Sequence, residues 1–201
     1  MFALVESGSI TKMLNGNQGI TIDGIQHPRA IYTLWTEAER NAIGIYSIVY
    51  DDTNKKDEKW YINTNQSFAF ADNKVTASYG SATAKKHADT LYTQEDEDNG
   101  LGTKDDVKVE GLKTKLIRDV KLNAANELAK TDWYVVRKSE ESTAIPSAIT
   151  THRRLVRTRQ AAMETSITNA SDTPALETLY TYTTDSDGVH SRPLAEIPTL
   201  D

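Results

Sequence analysis

The chain has 201 residues, of which 38% are hydrophobic, and a formal net charge of -6 at pH 7. This charge argues against a nucleic-acid-binding protein, because phosphate binding requires a basic face. The lack of cysteine excludes disulfides, thiolate zinc sites and cysteine nucleophiles. No apolar run approaches a membrane span, and the first residues lack the pattern of a signal peptide. We therefore expect a protein that stays in a cytoplasm or in a particle assembled there.

Residues 1–80 predict an N-terminal, antiparallel β-rich module within a protein of the α+β class. Apolar residues alternate on both sides of Ser7-Gly8-Ser9, which predicts a hairpin over 2–14. Asp23-Gly24 is a strong turn signal between two further strands, and Pro28 is expected to end the second of them.

A short helix and three more strands complete the predicted module. Thr36 and Glu39 have the spacing of a capping box, and Gly44 suits the left-handed residue that follows a helix. Beyond the helix, β-branched and aromatic residues predict a strand over 45–50 and a two-stranded ribbon over 60–79.

Residues 81–106 show no hydrophobic period and are rich in acid, which predicts an acidic linker. The run 95–98 followed by Gly100 has some likeness to a calcium loop. Asp106, at the twelfth position of such a loop, is too short for the bidentate ligand that these loops use. A solvated linker is the better interpretation.

Residues 107–180 predict a long helical hairpin, and 181–201 an extended tail. One helix is expected to begin near Val107 and a second at Pro146, each with an apolar stripe. The stripes are expected to pack on each other, either within one chain or between copies around an axis, with an aromatic corner between the helices. The residues predicted at this hairpin or oligomer interface are Leu112, Leu116, Val120, Leu128, Trp133, Ile149, Val156, Met163 and Ile167.

The second predicted helix also carries a basic cluster, made of Arg153, Arg154, Arg157 and Arg159. Two interpretations stay open: a docking face for a partner, or ion pairs with Glu140, Glu141 and the acidic linker. His152, beside the apolar stripe, is expected to be a partly buried packing residue rather than a ligand.

Enzyme motifs are missing where they would be visible in the sequence. No glycine-rich stretch has the spacing of a phosphate-binding loop, and no two of the four histidines share a spacing suited to a metal site. The sequence therefore predicts a non-catalytic protein with no catalytic residues, no metal and no cofactor.

Two stretches resemble a known family. One is Thr131-Asp132-Trp133-Tyr134-Val135-Val136-Arg137-Lys138, followed by Ala144-Ile145-Pro146, His152-Arg153 and Arg157. The other contains Ile22-Asp23-Gly24-Ile25-Gln26-His27-Pro28 and the segment from Leu34 to Tyr46. Together they are similar to tail-fibre assembly proteins of tailed bacteriophages and to related tail-associated virion proteins.

This resemblance implies a phage virion structural protein, associated with the tail or tail fibres, that acts by protein binding and oligomerisation. The implied partners are other phage structural proteins and further copies of the chain, with no nucleic acid and no membrane, and the implied location is the virion. The alternative is a tail-fibre assembly chaperone that is absent from the mature particle. The longer middle ribbon and the continuation past Thr181 depart from the family and favour a protein that stays in the particle.

A third hypothesis is receptor or glycan binding by an exposed aromatic surface. Its candidate residues are Trp60, Tyr61, Phe68, Phe70 and Tyr79. A role in the core is the better interpretation of these side chains.

Overall fold

In a computed structural model, which describes residues 1–200, the chain folds into two units, Met1–Thr83 and Ala84–Asp201. Strands dominate the first unit and helices dominate the second, so the predicted α+β class is confirmed. The elements of the first unit are β1 (Phe2–Glu6), β2 (Ser9–Leu14), β3 (Ile20–Ile22), β4 (Ile25–His27), α1 (Ile31–Leu34), α2 (Glu37–Ala42), β5 (Ile45–Asp51), β6 (Tyr61–Ile62), β7 (Ser67–Ala71), β8 (Lys74–Ser78) and the start of β9 (Thr83–Ala84).

Five strands form the main sheet, in the order β2-β1-β5-β8-β7. Neighbouring strands are antiparallel except β5 and β8, which are parallel. The two edge strands, β2 and β7, also approach each other, so the sheet curls toward a closed barrel. Two small sheets, β3 with β4 and β6 with β9, lie outside it.

The predicted turns form as the sequence indicates. Ser7 and Gly8 have φ values of 51° and 79°, and Asp23 and Gly24 have 50° and 79°. Two successive positive φ angles match the twist of antiparallel strands, which is why these sequences favour tight hairpins.

Side chains of β1 alternate between two apolar clusters, one on each face of the sheet. Ala3 and Val5 lie inside the curled sheet with Ile48, Val75 and Ala77. On the opposite face, Leu4 and Ile45 pack with Leu14, Ile20, Ile22, Ile31 and Tyr32. Burial on both faces fixes the register of this strand, since a shift by one residue would exchange the two sets.

The short helix α2 has the predicted start. The Glu39 amide donates to Thr36 Oγ1 at 3.3 Å, and the Thr36 amide donates to Glu39 Oε2 at 2.7 Å. This pairing is a complete capping box. Gly44, with φ of 80°, takes the left-handed conformation that reverses the chain into β5.

The five aromatic residues considered as a glycan platform do not form one exposed surface. Trp60 is only 3% exposed. Phe70 packs against Tyr46, with ring centroids 4.8 Å apart, at the cluster inside the curled sheet. Packing inside the unit therefore accounts for Trp60 and Phe70, and Phe68, at 38% exposed, does not make a platform by itself.

The second unit is built around helices. Its elements after β9 are β10 (Thr90–Leu91), α3 (Gln94–Asp98), β11 (Val107–Val109), α4 (Leu112–Ala129), α5 (Asp132–Glu141), α6 (Ser147–Asn169), α7 (Thr173–Tyr180), β12 (Thr183–Thr184) and β13 (His190–Ser191). No helix within residues 1–200 combines the length and the apolar character needed to cross a bilayer.

Helices α4 and α6 pack side by side within one chain and run in opposite directions. Lys113, at the start of α4, donates to the carbonyl of Thr168 at the end of α6, at 2.8 Å. At the other end, Arg153 of α6 donates to the carbonyl of Leu128 at 2.8 Å. The apolar stripes thus meet along the length of an antiparallel pair.

The prediction of a structureless linker over 81–106 is wrong. Within it, β10 pairs with β11, which follows directly after the segment, and the helix α3 begins at a capping box formed by Thr93 and Asp96. The helix expected near Val107 begins at Leu112 instead. The alternating Val-Lys-Val of β11 has the two-residue period of a strand, and its pairing with β10 decides the structure there.

The segment 86–89 caps the N-terminus of α4. Asp89 Oδ1 accepts from the Gly111 amide at 2.6 Å and from Thr114 Oγ1 at 2.8 Å. The Leu112 and Lys113 amides donate to the carbonyls of Lys86 and His87. Gly111 permits this approach, because a Cβ there would lie 2.4 Å from the Ala88 carbonyl carbon.

Replacing Asp89 with alanine is expected to destabilise the second unit by about 1 to 2 kcal/mol, the usual cost of losing an N-terminal cap. Thermal unfolding followed by circular dichroism at the helical band would measure it, since the long helices lie in this unit. Asp106→Ala is the matched control, because it removes an exposed carboxylate just before β11. Equal melting temperatures for the two variants would contradict the capping role.

The C-terminal segment is folded back on the second unit rather than extended. β12 pairs with β13, and beyond this hairpin Leu194 is 1% exposed. The Leu194 amide donates to the carbonyl of Leu179 at 3.0 Å. The prediction of an extended tail is therefore wrong, because burial of the Leu194 side chain and the bond of its amide hold the segment against the second unit.

Candidate functional site

The hinge between α4 and α6 contains a helix where an aromatic corner was predicted. α5 begins at Asp132, shortly after α4, and ends at Glu141; the next residue, Ser142, has a left-handed φ of 56°. Trp133 is 51% exposed and therefore does not close the hinge. Its ring lies 3.8 Å from that of Tyr134.

A buried arginine holds the start of α5. Arg153 Nη1 lies within hydrogen-bonding distance of three oxygens: the Leu128 carbonyl at 2.8 Å, Thr131 Oγ1 at 2.7 Å and Asp132 Oδ1 at 2.8 Å. Thr131 is 1% exposed. One guanidinium nitrogen thus joins the end of α4, the start of α5 and the first half of α6.

A second buried polar cluster lies one turn earlier on α4, around Glu127. His152 Nε2 is 3.1 Å from Glu127 Oε1, and the Leu200 amide donates to the same oxygen at 2.9 Å. Lys130 Nζ contacts the other carboxylate oxygen, Glu127 Oε2, at 2.6 Å. Glu127 thereby connects α4, α6 and the C-terminal segment, and its burial is matched by partners on both oxygens.

These partners lower the pKa of Glu127: the hydrogen bond from Lys130 contributes most, and the Leu200 amide adds to it against the effect of burial. A carboxyl with a lowered folded-state pKa stabilises the fold above its unfolded-state pKa and loses that contribution as the pH falls through the folded value. The stabilisation by Glu127 should therefore be present at pH 7 and fade below about pH 4.

The Glu127→Gln variant is accordingly expected to melt at a lower temperature than the wild type at pH 7. At about pH 3 the difference between the two melting temperatures should be smaller. Circular dichroism melts at both pH values would measure the gap. Glu95→Gln, at an exposed carboxyl of α3, is the control. A gap that is equal at both pH values would contradict the account of Glu127.

The outer surface of the hinge is apolar and aromatic. Val135 and Val136 are 43% and 52% exposed, beside the half-exposed Trp133. The Arg137 guanidinium lies 4.7 Å from the Trp133 ring centroid, a cation–π geometry. On α6, Leu155 is exposed next to Arg154. We define the hinge surface as Trp133, Val135, Val136, Arg137, Arg154, Leu155 and Arg159.

The hinge surface contains residue types that are enriched in protein interfaces. Tryptophan and arginine dominate the binding energy of protein interfaces, and exposed apolar side chains gain free energy when a partner covers them. The buried clusters around Arg153 and Glu127 hold the underlying helices in place, so a partner would meet a pre-formed surface.

The other residues predicted at the hairpin interface lie between α4 and α6. Five are buried where the helices pack: Leu116, Val120, Val156, Met163 and Ile167. Ile149 is also buried, and Leu112 and Leu128 are partly exposed at the ends of α4. The stripes therefore contact each other inside one chain, and the exposed Trp133 lies outside this set.

The four arginines of the basic cluster have two different environments. Arg153 is buried and bonded, so it is unavailable for docking, and its acidic partner is Asp132 rather than Glu140 or Glu141. Arg154, Arg157 and Arg159 are exposed.

Sequence reasoning missed Glu127 and Thr131. The spacing between Glu127 and Lys130 indicates a helical ion pair. No local pattern indicates that Glu127 and Thr131 are buried.

The titratable side chains beneath the hinge surface are paired with one another. Within residues 1–200, no three His, Asp or Glu side chains come together closely enough to hold a metal ion. Glu127 and His152 are held by the Leu200 amide and Lys130, which is a structural arrangement of partners. Comparisons with models of known families, with curated proteins and with solved structures found no match.

Proposed function

We propose that this chain is a structural protein of a tailed-bacteriophage particle, associated with the tail or the tail fibres, and that it acts by binding other proteins. The observation that carries the proposal is the hinge surface, where Trp133 and Val136 are both about half exposed on a short helix. A partner that covers these side chains gains the free energy of burying them.

The resemblance of residues 131–157 to tail-fibre assembly and tail-associated proteins supports the choice of particle, because it falls on the hinge surface and on the residues beneath it. In this proposal the partners are other phage structural proteins and further copies of the chain. Neither nucleic acid nor a membrane takes part, and the protein is assembled in the host cytoplasm and kept in the virion.

A tail-fibre assembly chaperone is the second candidate, since a fibre tip could bind the same surface and later be released. The two candidates differ in where the protein ends up. Quantitative mass spectrometry of purified particles, with copies counted against the major capsid protein, separates them. A fixed copy number is the result expected of a structural protein. Absence from particles, with presence in the lysate, would overturn the proposal and leave the chaperone.

A further inference from the structure

The exposed face of α6 is basic over a long stretch that contains no acid. No Asp or Glu occurs between Glu141 and Glu164. Arg154 and Arg159 are exposed, and the guanidinium of neither makes a hydrogen bond or an ion pair with any of residues 1–200. The exposed Leu155 lies between them in sequence. The positive charge of this face is thus left for a partner.

The same unit carries a surface of opposite charge. We define the acidic hairpin as residues 90–109, which comprise β10, α3 and β11. Four of its apolar residues are exposed: Leu91 at 44%, Leu101 at 60%, Val107 at 49% and Val109 at 58%. Around them are the exposed carboxylates of Glu95, Glu97, Asp98, Asp105 and Asp106. Like the face of α6, the acidic hairpin combines uncovered apolar side chains with an excess of one sign of charge: its six carboxylates outnumber the two lysines, Lys104 and Lys108.

The two surfaces are attached to opposite ends of the antiparallel pair α4 and α6. Asp89 anchors the base of the acidic hairpin at Gly111 and Thr114, the N-terminal end of α4. Arg153, next to Arg154, contacts the carbonyl of Leu128 near the C-terminal end. At 1.5 Å per residue these anchor points are about 24 Å apart. In this structure neither surface neutralises the other within one copy.

We infer that a second copy of this chain docks on the hinge surface through its acidic hairpin, so that copies associate head to tail. The inference rests on the proposed function and names one of its partners. Charge complementarity selects the occupant: the basic face of α6 suits an acidic, partly apolar partner, and the chain itself carries one. Nucleic acid fits less well, because the net charge of -6 opposes it.

Head-to-tail contacts have a structural consequence. A heterologous interface leaves one basic and one acidic surface free after each addition, so copies form a ring if the rotation closes and a filament if it does not. Repeated addition of this kind is suited to a component of a tail or fibre assembly.

The test is sedimentation velocity of the full chain over a range of concentrations. The weight-average sedimentation coefficient should rise with concentration, and salt raised from about 0.05 M to about 0.5 M should reduce it, because screening weakens surface charge pairs. The double variant R154E/R159E should weaken association by at least about tenfold. K12E/K74E, which makes the same change of charge at exposed positions of the first unit, should not.

A charge swap makes the test specific. The triple variant E95K/E97K/D98K should also fail to associate alone, but its mixture with R154E/R159E should recover association, since each reversed surface then meets its complement. A wild-type chain that stays monomeric would overturn the inference, as would a mixture that does not recover. Monomers present in particles at fixed copy number would refute only the self-association. An associating chain absent from particles would refute only the proposed function.

Discussion

Replacing Arg153 with methionine is expected to lower the free energy of unfolding of the helical unit by about 2 kcal/mol, since a hydrogen bond from a charged donor contributes roughly 1.5 to 3 kcal/mol. The change removes a buried guanidinium that lies 2.8 Å from the Leu128 carbonyl and 2.7 Å from Thr131 Oγ1. Thr131 is 1% exposed, so its hydroxyl has little access to water as a substitute partner. Thr131 Oγ1 also donates to the Leu128 carbonyl at 3.0 Å, so each of these oxygens loses a charged donor but keeps one partner.

Urea unfolding followed by circular dichroism at the helical band would measure the loss. Arg159→Met, which removes an exposed guanidinium two turns further along α6, is the matched control and should change stability by less than about 0.5 kcal/mol. Arg153→Lys should lie between the two, because an ammonium keeps the charge but its nitrogen is one bond closer to the backbone than Arg153 Nη1. Equal stability of the two methionine variants would show that Arg153 does not hold the hinge.

Replacing Ile167 with alanine is expected to cost about 3 kcal/mol or more. Ile167 is 0% exposed and lies on the face of α6 that packs against α4. Removing three carbon atoms there loses their transfer free energy and leaves a cavity that the packed helices fill only in part.

Leu155 provides the comparison for this second change, because it is 41% exposed on the same helix. Leu155→Ala should cost less than about 1 kcal/mol and should leave the cooperativity of unfolding unchanged. Both variants would be compared by urea midpoint and slope at one protein concentration. If Leu155→Ala proved as costly as Ile167→Ala, the assignment of the two faces of α6 would be wrong.

Local signals predicted most of the first unit. Each successful prediction rests on residues adjacent in sequence: the positive φ angles of Asp23-Gly24, the reciprocal bonds of Thr36 and Glu39, and the left-handed Gly44. The parallel pairing of β5 with β8 could not be predicted in this way, since no residue within either strand specifies the direction of its neighbour.

Residues 81–106 show where local reasoning failed. Their order depends on contacts with residues far along the chain: Asp89 with Gly111 and Thr114, and Thr173 Oγ1 with the Lys85 carbonyl at 2.6 Å. Hydrophobic periodicity does not register polar contacts of this kind. The capping box at Thr93 and Asp96 was a visible signal for α3, but the acid-rich composition outweighed it.

At the hinge, too, some features could be predicted from the sequence and others could not. The stripe spacing predicted the helix faces that meet, and the basic cluster was visible as a group. The division of that cluster into the buried Arg153 and the exposed Arg154 and Arg159 depends on the position of each residue around α6 relative to α4. Likewise, α5 was predicted as a corner because its two aromatic residues suggested packing, whereas Trp133 is half exposed.

Oxidative footprinting of Trp133 would test the central claim most directly, namely that the hinge surface binds other proteins in the particle. Its oxidation would be compared by mass spectrometry in the dilute free chain and in purified particles, with the buried Trp60 as an internal control. We expect Trp133 to be reactive in the free chain and protected in particles, with Trp60 protected in both. Equal reactivity of Trp133 in the two samples would contradict the account.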